Sequence, residues 1–312
     1  MSKFVLRRRT ALGTVLAVAL PGRASSKSLT VVATFSILAD LVQQIGGDRV
    51  DVVSLVGTDG DAHAFEPTPQ AARQLHRARM LVSNGLGFEA WLPRLKASAG
   101  FSGLDVVATH GVTPRLSTSH THLPARQGRH PHHQGDHHDP HAWQNVRHAM
   151  RYAQNIADGL AKADPANAAV YRARAATYAS RLNALDARIW ETLASLPAER
   201  RGVVTAHDAF GYYAEAYGLR IIPARGLSTV AEPSARDVAA LIALIRRERI
   251  SAMFLENIAD PRLLEQLARE TGAVVGGRLY SDALSPAGEP AATYIEMMEF
   301  NTAALARSLA RN

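Results

Sequence analysis

A chain of 312 residues, 47% hydrophobic and 20% charged, has apolar material for two ordinary domains or one large one. It needs neither a disulfide nor a metal merely to fold, and with no cysteine it excludes thiolate chemistry: any metal site must use histidine and carboxylate. Of the formal charge of +7, five basic residues (Lys3, Arg7, Arg8, Arg9, Arg23) lie in residues 1–24 beside no acid, so the remainder is only +2, and nucleic-acid binding loses its main support.

Residues 1–24 read as a signal peptide. A basic start precedes an apolar run from Thr10 to Leu20, and small residues around Ala24 and Ser25 offer a cleavage site. The run is too short to cross a bilayer, and the Arg7-Arg8-Arg9 cluster leaves Sec and twin-arginine export both open. With no cysteine after the signal to carry a lipid, the expectation is a soluble periplasmic protein that is not lipid-anchored.

From residue 27 onward, short β-branched runs alternate with helical patterns. Strands are expected at Leu29–Thr34, Val50–Val56, Met80–Ser83 and Leu104–Ala108, with helices at Ile37–Ile45, Thr68–His76 and Phe88–Lys96. From His110 to His138 periodicity stops. Eight of the 13 histidines fall in this stretch, among Pro, Gly, Ser, Thr and Gln, and the composition is that of a loop or a disordered segment.

A helix follows over Asn145–Ala163. Asp164-Pro165 then opens a longer one, with Tyr171, Tyr178, Leu182, Leu185, Ile189 and Leu193 at helical spacing and no Gly or Pro before Pro197. Core packing accounts for that apolar stripe. About 30 residues at roughly 1.5 Å each make a rod of about 45 Å, long enough to run along two domains.

After the rod, strands at Gly202–Ala206, Arg220–Pro223, Ala252–Leu255 and Ala273–Gly276 alternate with helices at Ala209–Tyr217, Ala235–Arg247 and Pro261–Thr271, and a helix over Ala291–Ala310 closes the chain. The predicted fold class is α/β: a lobe over 27–163 carrying the His-rich loop 110–138, a linking helix over 164–196, and a second lobe over 197–312. Each lobe is a parallel sheet flanked by helices.

Four polar positions fall just after strands or just before helices, and in open α/β sheets ligands bind at the carboxyl ends of strands. His63 follows the Val50–Val56 strand, His141 precedes the Asn145 helix, His207 follows the Gly202 strand, and Asp282 follows the Ala273 strand. Three imidazoles and a carboxylate suit a tetrahedral divalent ion, Zn2+ first. Asp61, Asp139 and Asp208 stand near these histidines and could accept the second ring N–H. Other roles remain open: a lone histidine is more often a core or surface residue, Asp282 would serve as a helix cap, and Glu66 as a solvated loop carboxylate or as the general base of a zinc-dependent hydrolase.

At these residues the sequence resembles the metal-binding solute-binding proteins of ABC importers, the zinc/manganese family. The pieces that carry the resemblance are Asp61-Ala-His-Ala-Phe-Glu-Pro67, Asn84-Gly-Leu-Gly-Phe-Glu-Ala-Trp91, Asp139-Pro-His-Ala-Trp143, Thr205-Ala-His-Asp-Ala-Phe210, Glu232-Pro-Ser234 and Leu279-Tyr-Ser-Asp-Ala-Leu284, with the tail through Asn301. They span nearly the whole chain after the signal.

The resemblance implies that His63, His141, His207 and Asp282 are the ligands, in two α/β lobes joined by one long helix. It also implies a binding protein rather than an enzyme, delivering its ion to an ABC permease. The family's manganese and iron binders typically have glutamate at the third ligand position; His207 there favours zinc, with manganese or iron as the alternative. Glu66, Asp139 and Asp208 are then residues supporting the ligands. His120, His122, His130, His132, His133, His137 and His138 form a separate, weaker metal-collecting loop, of which His137 and His138 should not reach the central ion. A periplasmic metallochaperone is a further partner to expect, and the protein should act as a monomer. Neutral imidazoles are needed for binding, so affinity should fall as pH drops through about 6.5.

Overall fold

The computed structural model describes residues 28–117, 138–227, 229, 233–250 and 252–311. The first lobe is built from β1 (Leu29–Phe35), α1 (Ser36–Gly46), β2 (Val50–Val56), α2 (Pro69–Arg77), β3 (Met80–Ser83), α3 (Leu92–Ala99) and β4 (Leu104–Val107). Its strands pair in parallel in the order β2-β1-β3-β4. The central strands are continuous runs of Val, Leu, Ala and Met because helices cover both faces; Val31, Val32, Ala33, Met80, Leu81 and Val82 are all fully buried.

α4 (Val146–Ala163) and α5 (Ala168–Ala194) follow. Asn145 caps α4 through its side chain, which accepts from the Arg147 N–H at 2.9 Å. The expected start of the rod at Asp164 is modified. Pro165–Asn167 is a separate 3-10 turn, and the Asp164 carboxylate is taken by Asn167 Nδ2 and the Tyr171 hydroxyl, each at 2.7 Å, rather than by a helix N–H. α5 itself is 27 residues, about 40 Å. Its buried stripe (Tyr171, Ala175, Tyr178, Leu182, Leu185, Ile189 and Leu193) packs against α4, α1, α6 and α9.

The second lobe repeats the first in topology. β5 (Gly202–Thr205), α6 (Gly211–Tyr217), β6 (Arg220–Pro223), α7 (Ala235–Arg247), β7 (Ala252–Glu256), α8 (Arg262–Thr271) and β8 (Val274–Leu279) form a parallel sheet ordered β6-β5-β7-β8, and α9 (Tyr294–Arg311) closes the chain. A capping box at Ser234 and Asp237 starts α7. The main core is continuous between the lobes: it joins β1, α1, α4, α5, β5, α6 and α9 through residues such as Phe35, Trp143, Leu182, Phe210 and Tyr294.

One helix starts later than the sequence suggests. Phe88 and Glu89 precede α3, in a loop where Gly85, Leu86 and Gly87 all have positive φ (88°, 53° and 81°). Glu89 accepts the N–H groups of Asn84 at 2.6 Å and Gly85 at 3.2 Å, which ties that loop down. Phe88 is thereby freed from helical geometry and turns toward His63.

Candidate metal centre

Each candidate ligand sits at the carboxyl end of a sheet, on a backbone its neighbours hold. Asp61 bends the loop after β2 by accepting the N–H groups of His63 (2.8 Å) and Ala64 (3.3 Å), and Trp91 Nε1 pins the adjacent Ala62 carbonyl at 2.9 Å. Phe88 packs its ring edge-on to His63, with centroids 4.8 Å apart.

His141 lies between β4 and α4. Asp139 Oδ1 accepts both its backbone N–H (3.0 Å) and its ring Nδ1–H (2.8 Å), and Arg115 donates to Asp139 Oδ2 at 3.0 Å. A Cβ on Gly211 would come within 1.9 Å of that guanidinium, so only glycine lets the Arg115–Asp139 pair rest on the first turn of α6. Tyr212 braces the same corner, accepting from the Arg115 N–H at 2.9 Å and donating to the Asp139 carbonyl at 3.0 Å.

His207 follows β5. Asp282 follows β8, where the Ser281 carbonyl is held across the cleft by Trp143 Nε1 (2.9 Å) and Gln144 Nε2 (2.8 Å).

These four side chains converge. Their ligand atoms all lie within 4.8 Å of one another. His63 Nε2 is 3.3 Å from His141 Nε2 and 3.2 Å from Asp282 Oδ2, which lies 3.1 Å from His207 Nε2 and 3.7 Å from His141 Nε2. A tetrahedral ion with ligands at about 2.0–2.1 Å has ligand–ligand edges of roughly 3.3 Å, so these four spacings suit one. Asp282 Oδ1 is buried with no hydrogen-bond partner among the described residues, a lone carboxylate oxygen that a cation would satisfy. The side chains of His141, His207 and Asp282 are fully buried, while that of His63 is 9% exposed, which puts the opening to solvent on the His63 side.

The electrostatics follow from this crowding. Burial alone would strip His141 of its charge, but the Asp282 and Asp139 carboxylates outweigh burial and raise it to about 9. His207 is likewise opposed by burial and raised well above the usual imidazole range by Glu256 and Asp282. His63 is lowered, because burial exceeds the help it gets from Asp282. Burial works to raise Asp282, yet the facing His207 and His141 hold it well below the ordinary carboxylate value.

Two expected supporting residues are elsewhere. Glu66 is exposed in the loop after His63 and contributes nothing to the cluster, because the loop turns it outward once Asp61 has fixed its bend. Asp208 does not take the His207 ring; it accepts from Ser117 Oγ at 3.0 Å and its N–H donates to the Gly226 carbonyl. The carboxylate facing His207 Nδ1, at 2.6 Å, is Glu256 at the end of β7, which the sequence reading ended one residue short. The strand-end position that singled out the candidate ligands His63, His207 and Asp282 applies equally to Glu256 and was the available signal. His138 is exposed and bridges Leu116 through the backbone, away from the cluster. His120, His122, His130, His132, His133 and His137 lie outside the described residues.

Residues 31–308 match the sequence profile of the ZnuA family, described as zinc-uptake complex component A, periplasmic. The chain belongs to that family. The iron-binding protein YfeA of Yersinia pestis is 32% identical over 283 residues, spanning 91% of this chain and 87% of the relative. SsaB of Streptococcus sanguinis, a metal ABC transporter substrate-binding lipoprotein, is 29% identical over 300 residues (92% and 91%). The solved periplasmic zinc-binding protein TroA from Treponema pallidum superposes with a TM-score of 0.80 at 31% identity, covering 91% of this chain and 99% of that one.

ZnuA-family proteins are substrate-binding components of metal ABC transporters, so this one is a metal-binding protein that works with an ABC permease, and the hydrolase alternative is set aside. The two-lobed fold with its linking helix is the architecture of TroA. The expectation of a protein that is not lipid-anchored is corrected: SsaB and further streptococcal relatives are named lipoproteins.

Proposed function

We propose that the protein captures Zn(II) through His63, His141, His207 and Asp282 and hands it to the permease of a zinc importer. The observation that carries this reading is the convergence of three imidazole nitrogens and one carboxylate oxygen in a mostly buried cluster. Three nitrogens and one oxygen form a borderline-soft donor set that suits zinc, whereas manganese favours carboxylate, carbonyl and water oxygens. The name of YfeA keeps iron as the competing cargo. Four protein donors leave no open position for a reactive water, in keeping with carriage rather than turnover. Loading from a metallochaperone and action as a monomer belong to the same proposal, as does a separate, weaker collecting role for the histidines between His110 and His138.

Elemental analysis of protein purified from its native cell tests the cargo directly: zinc should dominate, and a preparation dominated by manganese or iron would overturn the zinc assignment. In chelator competition, His141→Ala should lose the tightest equivalent of zinc, whereas deletion of 117–135 should keep it. Equal loss in the two variants would refute the separation of site from loop.

A further inference from the structure

Glu256 is 4% exposed, and both of its oxygens face N–H groups of the chain that carries His207. Oε1 accepts from the backbone N–H of Ala206 at 2.7 Å and of His207 at 3.0 Å, and Oε2 lies 2.6 Å from His207 Nδ1. A carboxylate is acceptor-only. Oε2 has no other partner, so its approach favours a proton on Nδ1, and Nε2, 3.1 Å from Asp282 Oδ2, is the nitrogen left to meet a cation once it has given up the proton it shares with that carboxylate.

Asp139 does the comparable work for His141 but sits two residues from it, on the same loop. Glu256 comes from a different strand, β7, which pairs directly with β5. It therefore locks the His207 ring to the second lobe's sheet, independently of the loop's own shape.

We infer that Glu256 is a positioning residue that makes position 207 a nitrogen donor and thereby sets the metal preference of the site. This rests on the reading of His207 as a ligand. In Glu256→Gln the amide oxygen can keep the two backbone N–H groups, while its NH2 falls beside Nδ1 and donates to it. The ring then carries its proton on Nε2, aimed into the site, and a ligand is lost although the imidazole remains. The flipped amide is no refuge, because its NH2 would face two backbone donors with no acceptor.

The test is a cycle of variants, each checked for native far-UV circular dichroism and read by chelator competition for the tightest zinc equivalent. Glu256→Gln should weaken zinc by about 10–100-fold. The double variant with His207→Ala should bind no more weakly than His207→Ala alone, since Glu256 acts through that ring. In zinc-loaded protein with 15N-labelled histidine, His207 should show a protonated Nδ1 and a metal-bound Nε2 in the wild type and lose that signature in Glu256→Gln.

The sign should reverse when position 207 is made a carboxylate. In His207→Glu, Glu256 repels the new side chain, and adding Glu256→Gln supplies a donor to it, so manganese binding should tighten rather than weaken. A residue that merely supports the fold would not change sign.

The outcomes separate cleanly. If His207→Ala leaves zinc affinity unchanged, the ligand set falls, and the role of Glu256 falls with it. If His207→Ala weakens zinc but Glu256→Gln does not, or if the two losses add in the double variant, or if manganese binding fails to tighten, the ligand set stands and the positioning role is overturned.

Discussion

His141 and His207 approach Asp282 from opposite lobes, and each turns its second nitrogen to another carboxylate, Asp139 or Glu256. Both imidazoles are raised, His141 to about 9, which favours a proton on each in the metal-free site, while His63 is lowered. Protons on the two Nε2 atoms occupy the place of the cation, and binding must expel them. About two protons should be released per ion at pH 7, which isothermal titration in buffers of different ionisation enthalpy measures directly; no release would sink the assignment. The sequence alone suggested that affinity weakens only below about pH 6.5. With these shifts the weakening is already under way at neutral pH, and affinity should climb up to about pH 9. In the metal-free fold the raised histidines contribute stability that is full below their ordinary value of 6.5 and lost as pH rises through their folded values, about 9 for His141. Asp282, held low, contributes above 3.8 and ceases to do so only as pH falls through its lower folded value. Melting temperature of the metal-free protein should therefore drop between pH 6.5 and 9, and zinc should flatten that drop.

At the scale of elements, the strands were the most legible part. β2, β3 and β6 have the bounds the sequence suggests: β3 is an unbroken apolar run buried along its length, and the edge strands β2 and β6 are set off by turn residues such as Gly47, Gly57 and Gly218. The clustered side chains were legible for a related reason: His63, His207 and Asp282 follow strands, whose ends fix where a residue can point, and His141 precedes a helix. What stayed hidden depends on contacts distant in sequence. Phe88 and Glu89 look helical locally, yet the Glu89 carboxylate binds backbone at 84 and 85 and holds a loop instead. Asp208 beside His207 was the natural partner by adjacency; Glu256 displaces it because β7 pairs with β5, a fact of topology that spacing does not carry. The α5 stripe was legible as packing, and it sets the next expectation. Leu182 is fully buried at the middle of the rod, so Leu182→Ala should cost about 2–5 kcal/mol, read by denaturant unfolding. A cost below about 0.5 kcal/mol, the range of a surface change, would mean the rod does not carry the core.

Across the whole molecule, the same continuous core that contains Leu182 reaches both sheets, and the lobes are also stitched beside the cluster. The Asp59 N–H donates to the Leu284 carbonyl at 2.9 Å, Asn257 Nδ2 reaches Asp59 Oδ1 at 2.9 Å, Thr229 bonds Asp61, and the Leu284 N–H donates to Ser36 Oγ at 3.0 Å. Two lobes on a flexible tether would unfold separately and close widely on a ligand; two lobes sharing a core and a rigid helix should do neither. The metal-free protein should then melt in one cooperative transition seen alike by calorimetry and by near-UV circular dichroism. Because the four candidate ligands come together only in the folded state, raising free zinc to about 1,000 times Kd should add about 4 kcal/mol, a rise in Tm on the order of 5–10 °C, with the transition still single. Two resolved transitions, with zinc shifting only one, would show that the lobes are energetically separate and that the ion is held mainly by one of them. A single shifted transition would place the binding free energy in the whole fold, so that release to the permease must come from local loop displacement at the partly exposed His63 rather than from opening the lobes.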